Sequence, residues 1–322
     1  MKYCFIINPA AGNGDPKEKL VGDIERECRD RGLDYEVYFT TGYGDATKYV
    51  KALDDRYPEG EIALYACGGD GTLGETVNGI MGLKNKNRAM LGVIPTGTGN
   101  DFVRQFTDNF NFKNIVAQIK GESMDIDIIK CNDKYAVNML NIGFDCEVVC
   151  KKEALQRHKW IPSKLAYIIG LVMTLIRKPG VKCRVSCDGG ESVYRDMLLT
   201  TFGNGEFCGG GFHSNPESRI NNGKINALFV NNVSRTKFVS IVGSYKKGTH
   251  LVYTDVLDSH LVDSVKLEFE APANVSVDGE VIGFDKEILI TAVKNAVRFI
   301  VPAGSKYIRK GERAGASAAV GV

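Results

Sequence analysis

One short stretch of the chain, CGGDGTLG at positions 67–74, places a carboxylate among glycines. It follows the apolar run IALYA at 62–66, which predicts a buried strand. Glycine lets backbone N–H groups come close to an anion, and a helix that begins directly afterwards adds the positive end of its dipole. Asp70 would repel a phosphate unless a metal ion lies between them. The stretch therefore predicts a site for a nucleotide phosphate bridged by Mg²⁺.

Two other loops have the same character. Residues 8–14 follow the first predicted strand, and residues 95–101 follow the fourth. The carboxyl ends of parallel strands lie along one edge of a sheet, where open α/β folds bind their ligands. A single loop of this kind is explained about equally well as a tight turn. Three of them at strand ends favour a phosphate cradle.

Two familiar nucleotide motifs fit poorly. The P-loop pattern GxxxxGK[ST] does not occur in the sequence. Residues 69–74 match GxGxxG, but a dinucleotide site also requires an acid about 20 residues later, at the end of the next strand. The strand predicted at 90–94 runs instead into Pro-Thr-Gly. The pattern favours a metal-bridged nucleotide over a hydride-transfer cofactor.

These loops need a parallel sheet to align them. The first 125 residues alternate β-rich runs with amphipathic stretches, which predicts crossover units and a sheet covered on both faces. The predicted strands are 3–7, 35–40, 62–66 and 90–94, and the predicted helices are 16–31, 45–53 and 72–81.

After about Gly121 the alternation of predicted strands and helices gives way to successive strand-like runs with turn signals between them. This pattern predicts an antiparallel β-sandwich. The runs are 126–130, 135–139, 183–186, 197–202, 227–230, 265–270, 275–277, 287–291 and 297–301. The expected organisation is an α/β nucleotide-binding domain at 1–125, a sandwich with a helical insert (151–178) at 126–310, and a disordered tail at 311–322. The last segment, about 297–310, completes the sandwich or packs back against the first domain.

Composition narrows the class of partner. Lys and Arg number 41 against 39 Asp and Glu, so there is no global field of the kind that binds nucleic acid. The start, MKYCFIINPA, lacks the apolar region of a secretory signal, which predicts a cytoplasmic protein. The twelve-residue apolar run at 165–176 is too short to span a bilayer, and a core helix is favoured over one on an anionic membrane surface. The basic cluster at 245–247 is interpreted as solvated charge rather than a membrane contact.

With these elements in place, the sequence resembles the diacylglycerol-kinase-type lipid kinases, a family that includes sphingosine kinases and many bacterial lipid kinases. The motifs extend over about 275 residues in the family's order. They are INPAAGNG (7–14), GGDGTLGETVNGI (68–80), GVIPTGTGNDFVR (92–104), NIGFDCEV (141–148), NGEFCGGGF (204–212), PESRINNGKINALFV (216–230) and VDGEV (277–281).

The resemblance implies an α/β nucleotide domain, a C-terminal β-sandwich and an active site in the cleft between them. It implies transfer of the γ-phosphate of ATP, with Mg²⁺, to a hydroxyl of diacylglycerol or a related lipid, at the inner face of the membrane. The implied nucleotide contacts are Asn8, Gly12, Gly68, Gly69, Asp70, Gly71, Thr72, Thr96, Gly97 and Thr98. The implied ligands of Mg²⁺ and its waters include Asp70 and Asp101.

A third acid of the family precedes the strand that opens the second domain. The spacing to Tyr135 and Asn138 favours Asp127, although Asp125 competes with it. Many bacterial members of the family bind a structural metal through an acid at the position that Asn222 occupies here. Asn226 replaces another acid that is common in these members. A neutral amide oxygen holds a hard dication more weakly than a carboxylate does, so we expect at most weak binding there.

The resemblance makes Glu280 the general base, with Asp278 beside it. An aliphatic hydroxyl is a poor nucleophile, and a carboxylate within hydrogen-bond reach is needed to take its proton. From the residues alone, Asp278-Gly279 is an ordinary hairpin turn.

Two other functions stay open. A soluble-substrate kinase of the NAD kinase type shares the GGDGT loop, but its usual Asn-Glu pair is replaced by PTGTGND. A catalytically silent nucleotide-binding regulator also fits the glycine loops. A homodimer formed through an edge strand would leave no mark in the sequence.

Overall fold

The computed structural model describes residues 1–12, 17–144, 146–148, 150, 180–284 and 286–308. The helical insert predicted at 151–178 and the tail predicted at 311–322 lie outside these ranges, as does the end of the first glycine loop. The chain divides into two compact units. The first comprises Met1–Ile126, Gly209–Gly211 and the segment from Asn295 onward, and the second comprises Asp127–Cys208 and Phe212–Lys294.

The first unit is an α/β structure. Its first four strands are β1 (Lys2–Ile7), β2 (Asp34–Phe39), β3 (Ile62–Gly68) and β4 (Ala89–Pro95), and its helices are α1 (Lys17–Asp30), α2 (Asp45–Arg56), α3 (Asp70–Ile80) and α4 (Ile115–Ile119). These strands pair in parallel in the order β2-β1-β3-β4. All seven residues of β3 are buried, as expected for a central strand covered on both faces.

The strand register explains why the glycine loops begin side by side. Ile7 of β1 pairs with Cys67 of β3, and Gly68 of β3 pairs with Pro95 of β4. The three strands therefore end at the same edge of the sheet, where ligands of such folds bind.

The second unit is built mainly of antiparallel strands. Its elements, together with the two strands that it shares with the first unit, are β5 (Glu122–Cys131), β6 (Lys134–Ala136), β7 (Met139–Gly143), β8 (Val181–Cys187), β9 (Val193–Gly203), β10 (Ile225–Asn231), α5 (Arg235–Lys247), β11 (Leu257–Val262), β12 (Ser264–Phe269), β13 (Ala273–Val277), β14 (Glu280–Phe284) and β15 (Glu287–Val301). The pairing order is β14-β13-β7-β9-β8-β12-β15, with β10 between β9 and β11. Phe202, Phe229 and Val265 belong to its core.

Two predicted boundaries are wrong. The strands predicted at 287–291 and 297–301 are the single strand β15, whose residues Arg298 and Phe299 pair in parallel with β4. The strand predicted at 135–139 is divided into β6 and β7, because the amides of Val137 and Asn138 bond to the Asp278 carboxylate instead of to a neighbouring strand.

Helix α5 lies in a stretch for which no helix is predicted from the sequence. Its sequence, RTKFVSIVGSYKK, contains glycine and β-branched residues, which lower helix propensity. Both ends are capped. The Ser234 hydroxyl accepts a hydrogen bond from the amide of Lys237, and Gly248 adopts the left-handed conformation that ends many helices. Within the described ranges, no helix is long and apolar enough to cross a membrane.

Candidate active site

The three glycine loops of the first unit touch one another through their backbones. A Cβ on Gly12, whose φ is +81°, would overlap the carbonyl oxygen of Thr96, and one on Gly97 would overlap the Cα of Gly69. The amides of Thr96 and Gly97 both donate to the carbonyl of Gly68, at 2.9 and 3.2 Å. Side chains would force the loops apart at these contacts.

Asn8 ties the first loop to the start of α3. Its Nδ2 donates to the Thr72 hydroxyl at 3.1 Å, and its Oδ1 accepts from the Ala10 amide at 2.9 Å. Gly69 directly precedes α3, and it has no side chain that could cover the first amides of the helix. These amides and the helix dipole suit a phosphate group. The Thr96 hydroxyl is buried and makes no hydrogen bond in the described part of the chain, while Thr98 is exposed.

The Asp70 carboxylate lies at the start of α3 and is held by the loop after β4. Its Oδ1 accepts hydrogen bonds from the amides of Asp101, at 2.9 Å, and Phe102, at 3.4 Å. Removal from water, followed by the nearby Asp101 charge, raises the pKa of Asp70 to about 6. Its negative charge is therefore costly unless a cation balances it.

Asp101 is buried next to this carboxylate. Its Oδ1 accepts from Arg104 Nε at 3.0 Å, and its Oδ2 accepts from the amide of Gly210 at 2.8 Å. Gly210 belongs to the short segment of the first unit that comes from the NGEFCGGGF motif. Arg104 and Gly210 thus contact Asp101 directly, although neither was predicted as a site residue. The three successive glycines at 209–211 were the sequence signal that could have indicated Gly210.

The chemistry of these oxygens fits a hard dication. A Cβ on Gly99 would lie 2.9 Å from Asp70 Oδ2 and 3.7 Å from Asp101 Oδ2, so both oxygens border the space beside a residue without a side chain. Within the described ranges there is no group of three or more His, Cys, Asp or Glu residues that could hold a metal. Mg²⁺ at Asp70 and Asp101 would take its other ligands from water or phosphate, as it usually does.

Replacing Gly97 with alanine is expected to lower the free energy of unfolding by about 1–3 kcal/mol, because the new methyl group overlaps the Gly69 backbone. The matched control is Gly71→Ala in the same glycine cluster, where a Cβ meets no atom within 4 Å. Denaturant unfolding without nucleotide measures both. Equal loss of stability in the two variants would contradict the close packing of the loops.

Asp127 and Asn222 meet at one turn of the second unit. Asp127 is buried, its amide donates to the carbonyl of Ile220 at 2.6 Å, and its Oδ2 accepts from the amide of Gly223 at 2.5 Å. Asn222 Oδ1 accepts from the amide of Lys224 at 3.0 Å. The Asp127 carboxylate therefore supports the turn in which Asn222 lies.

Asp125, the alternative to Asp127, and Asn226, the second position where an amide replaces a common acid, have different surroundings. Asp125 is exposed and lines a small polar cavity of the first unit with Lys86 and Arg298. Asn226 is buried, and its side chain donates to the Ser259 hydroxyl at 2.7 Å and accepts from Asn215 at 3.2 Å.

Asp278 and Gly279 form the two-residue turn between β13 and β14. Both have positive φ, +46° and +92°, as in a type I′ hairpin. The Asp278 carboxylate accepts from three amides, those of Val137 (2.6 Å), Asn138 (3.1 Å) and Met139 (2.8 Å). These bonds make Asp278 a clamp on the backbone between β6 and β7.

Glu280 begins β14 directly after this turn and pairs with Val277. Its side chain is 31% exposed, and its Oε1 lies 3.1 Å from Lys134 Nζ. The carboxylate is therefore accessible to a reactant and has a cation beside it, on a turn that Asp278 holds in place.

A buried charge cluster of the second unit was not predicted. Glu206, 3% exposed at its side chain, pairs with Arg219 at 3.0 Å and with His213 at 2.7 Å. The His213 ring stacks on Phe207 at a centroid distance of 4.5 Å. The cluster fixes both ends of the loop that contains the glycine triplet, and no local spacing signals it.

Comparison with known proteins identifies the class. Residues 2–131 match the family model described as the diacylglycerol kinase catalytic domain, and residues 138–300 match the YegS C-terminal NAD kinase beta sandwich-like domain. The α/β fold, the glycine loops and the antiparallel second unit agree with this two-domain class, which confirms the predicted fold. The chain belongs to the diacylglycerol kinase catalytic-domain family, in the form that carries a YegS-type C-terminal domain.

Individual relatives are similar to this protein over most of the chain. It is 28% identical over 304 residues to the probable lipid kinase YegS-like of Yersinia enterocolitica, covering 92% of this chain and 96% of the relative. It is 28% identical to a diacylglycerol kinase of Staphylococcus carnosus, covering 86% and 87% of the two chains. The crystal structure of a diacylglycerol kinase from Bacillus anthracis superposes with a TM-score of 0.67 at 21% identity, over 94% of this chain and 97% of that one. At that identity the structure shows a shared fold.

Proposed function

We propose that this protein is an ATP-dependent lipid kinase that phosphorylates a hydroxyl of diacylglycerol or a related lipid. The observation that carries the proposal is the Asp70–Asp101 pair beside three interlocked glycine loops, in a chain of the diacylglycerol kinase family. The names of the relatives, diacylglycerol kinase and lipid kinase, support the substrate class.

The first unit supplies the groups that a triphosphate needs. The amino end of α3, directly after Gly69, offers its first amides to phosphate oxygens, and the glycine loops after β1 and β4 lie beside it. Asp70 and Asp101 would hold Mg²⁺, which would neutralise charge on the phosphates. Asp70 and Asp101 are themselves held by the backbone and by Arg104, so they need little rearrangement to accept the cation.

In the second unit, Glu280 takes the proton from the lipid hydroxyl. The hydroxyl oxygen then forms a bond to the γ-phosphorus as the bond from that phosphorus to the ADP oxygen breaks. The proton ends on the Glu280 carboxylate and the electron pair of the broken bond ends on ADP. Lys134 Nζ lies 3.1 Å from Glu280 Oε1 and helps to orient the carboxylate.

Replacing Lys134 with methionine is expected to lower kcat/KM about two- to fivefold. The Lys134 ammonium group lies 3.1 Å from Glu280 Oε1 and helps to orient the carboxylate, but the pair is partly exposed, so its contribution is small. Steady-state kinetics on the lipid that becomes labelled measures the change.

Two variants control this measurement. Lys134→Arg should restore most of the rate, and Lys294→Met, which removes a lysine paired with Asp263, should leave the rate unchanged. Wild-type kcat/KM in Lys134→Met would contradict the role given to the ion pair.

A lipid panel tests the function itself. Purified protein is incubated with labelled ATP, Mg²⁺ and mixed micelles of diacylglycerol, monoacylglycerol, phosphatidylglycerol, undecaprenol, ceramide or a sphingoid base. One lipid class should become labelled. Absence of label in every lipid, or conversion of NAD⁺ to NADP⁺ in a parallel assay, would overturn the proposal.

A further inference from the structure

Helix α5 presents an exposed face of unusual composition. Arg235, Val239 and Lys246 recur at intervals of four and seven residues, which places them on one side of the helix. Lys247 follows Lys246 directly and lies about 100° further round the helix. All four residues are exposed, and Val239 retains 54% of its surface. Val252, 75% exposed, follows in the short helical turn after α5. These five residues are called the α5 face.

A second side of α5 is firmly anchored. Phe238, Ile241 and Tyr245 are buried in an apolar cluster that also contains Phe144 and Leu257. The Phe144 and Phe238 rings pack at a centroid distance of 4.8 Å. Since this side fixes the rotation of the helix, the α5 face stays directed outward and costs no rearrangement to use.

The charge on the helix has one sign. Its thirteen residues include Arg235, Lys237, Lys246 and Lys247 and no acid, whereas the whole chain carries a net charge of only +2. Lys237 is paired with Asp255 at 3.2 Å. Arg235, Lys246 and Lys247 are exposed, as are the two valines, so the face combines positive charge with apolar side chains.

We infer that the α5 face docks the protein on an anionic phospholipid surface. The inference rests on the proposed function, because a lipid kinase must reach an acceptor that resides in a membrane. Cations near an anionic bilayer each contribute about 1 kcal/mol, and apolar side chains gain by leaving water at the headgroup boundary. Nucleic acid would match the charge but would leave Val239 and Val252 without favourable contacts, so the lipid surface is the better fit.

The test is co-sedimentation with vesicles of phosphatidylcholine with or without phosphatidylserine, at low and high salt and without nucleotide. The wild-type protein should bind only the vesicles that contain phosphatidylserine, and more weakly at high salt. Lys246→Glu/Lys247→Glu should bind at least about tenfold more weakly, because two attractive charges become repulsive. Val239→Asp should also weaken binding.

The matched control is Lys48→Glu/Lys51→Glu, which makes the same charge change at two exposed lysines of α2 and should bind as the wild type does. Thermal unfolding checks that each variant is folded. Wild-type binding by the α5 variants, equal binding to neutral vesicles, or tighter binding to duplex DNA than to anionic vesicles would overturn the inference. Because no nucleotide or acceptor is present, these outcomes are independent of the lipid panel, which alone decides the proposed function.

Discussion

Replacing Glu280 with glutamine is expected to lower turnover at least about a hundredfold while ATP binding is retained. The amide keeps the size of the side chain but cannot take a proton from the lipid hydroxyl, and general-base catalysis commonly contributes a factor of 10²–10⁴. Steady-state kinetics on the lipid that becomes labelled in the panel, together with calorimetric titration of ATP, separates the two effects.

Glu287→Gln is the matched control for this variant, since Glu287 is an exposed glutamate at the start of β15 that pairs with Lys266. It should retain full activity. Asp278→Asn should behave differently from both. It replaces the carboxylate that accepts hydrogen bonds from three amides, and it should therefore lower the free energy of unfolding. Turnover retained by Glu280→Gln would remove the role assigned to the carboxylate.

Asp70→Asn is expected to have opposite effects on activity and on stability. Loss of a carboxylate proposed to bind Mg²⁺ should reduce turnover at least about a hundredfold, since metal-ion charge stabilisation amounts to several kcal/mol. The same change should raise the free energy of unfolding of the ligand-free protein at neutral pH by about 1–3 kcal/mol, because it removes a charge that the fold disfavours.

The pH dependence follows from the direction of the shift. The pKa of Asp70 in the folded protein, about 6, lies above its ordinary value of 3.8, so the folded state binds more protons between these values than the unfolded state does. The stability from this group is complete below about pH 4 and is lost as the pH rises through 6. The gain in Asp70→Asn should therefore be largest above pH 6 and vanish near pH 4.

Denaturant unfolding of the wild type and of Asp70→Asn at several pH values, with and without Mg²⁺, measures this difference. Added Mg²⁺ should stabilise the wild type more than the variant. A variant less stable than the wild type at neutral pH would show that the amide bonds to Asp70 outweigh the cost of its charge.

The glycine loops could be predicted from the sequence because their causes are local. A continuous apolar run such as 62–66 predicts a buried central strand, and the glycines after it permit backbone conformations and contacts that other residues do not. The turn at Asp278-Gly279 was predictable for the same reason, since this dipeptide favours two successive positive φ angles.

The partners of the acids could not be predicted in this way. Asp278 is held by amides about 140 residues earlier, and Asp101 is held by the amide of Gly210, which lies 109 residues later. The spacing of residues along the chain carries no information about such bonds, because they depend on which segments the fold brings together. For the same reason the sequence placed Glu280 near a turn but did not indicate Lys134.

Helix α5 shows the same difference between what the sequence indicates and what the fold decides, in this case for a surface. Its cations and valines were visible in the sequence, but a stretch with poor helix propensity did not indicate that they share one face. Burial of Phe238, Ile241 and Tyr245 overrides that propensity and sets the rotation of the helix.

The sequence by itself determined the alternation of elements, the bare loops at the strand ends, the tight turn before Glu280 and the family resemblance. All of these depend on preferences that act within a few residues or on motifs in a fixed order. Only the tertiary structure decided which backbone amides hold each carboxylate, which cation lies beside Glu280 and which side of α5 faces solvent. Those outcomes depend on packing between segments far apart in the chain, where burial and hydrogen bonding outweigh local preference.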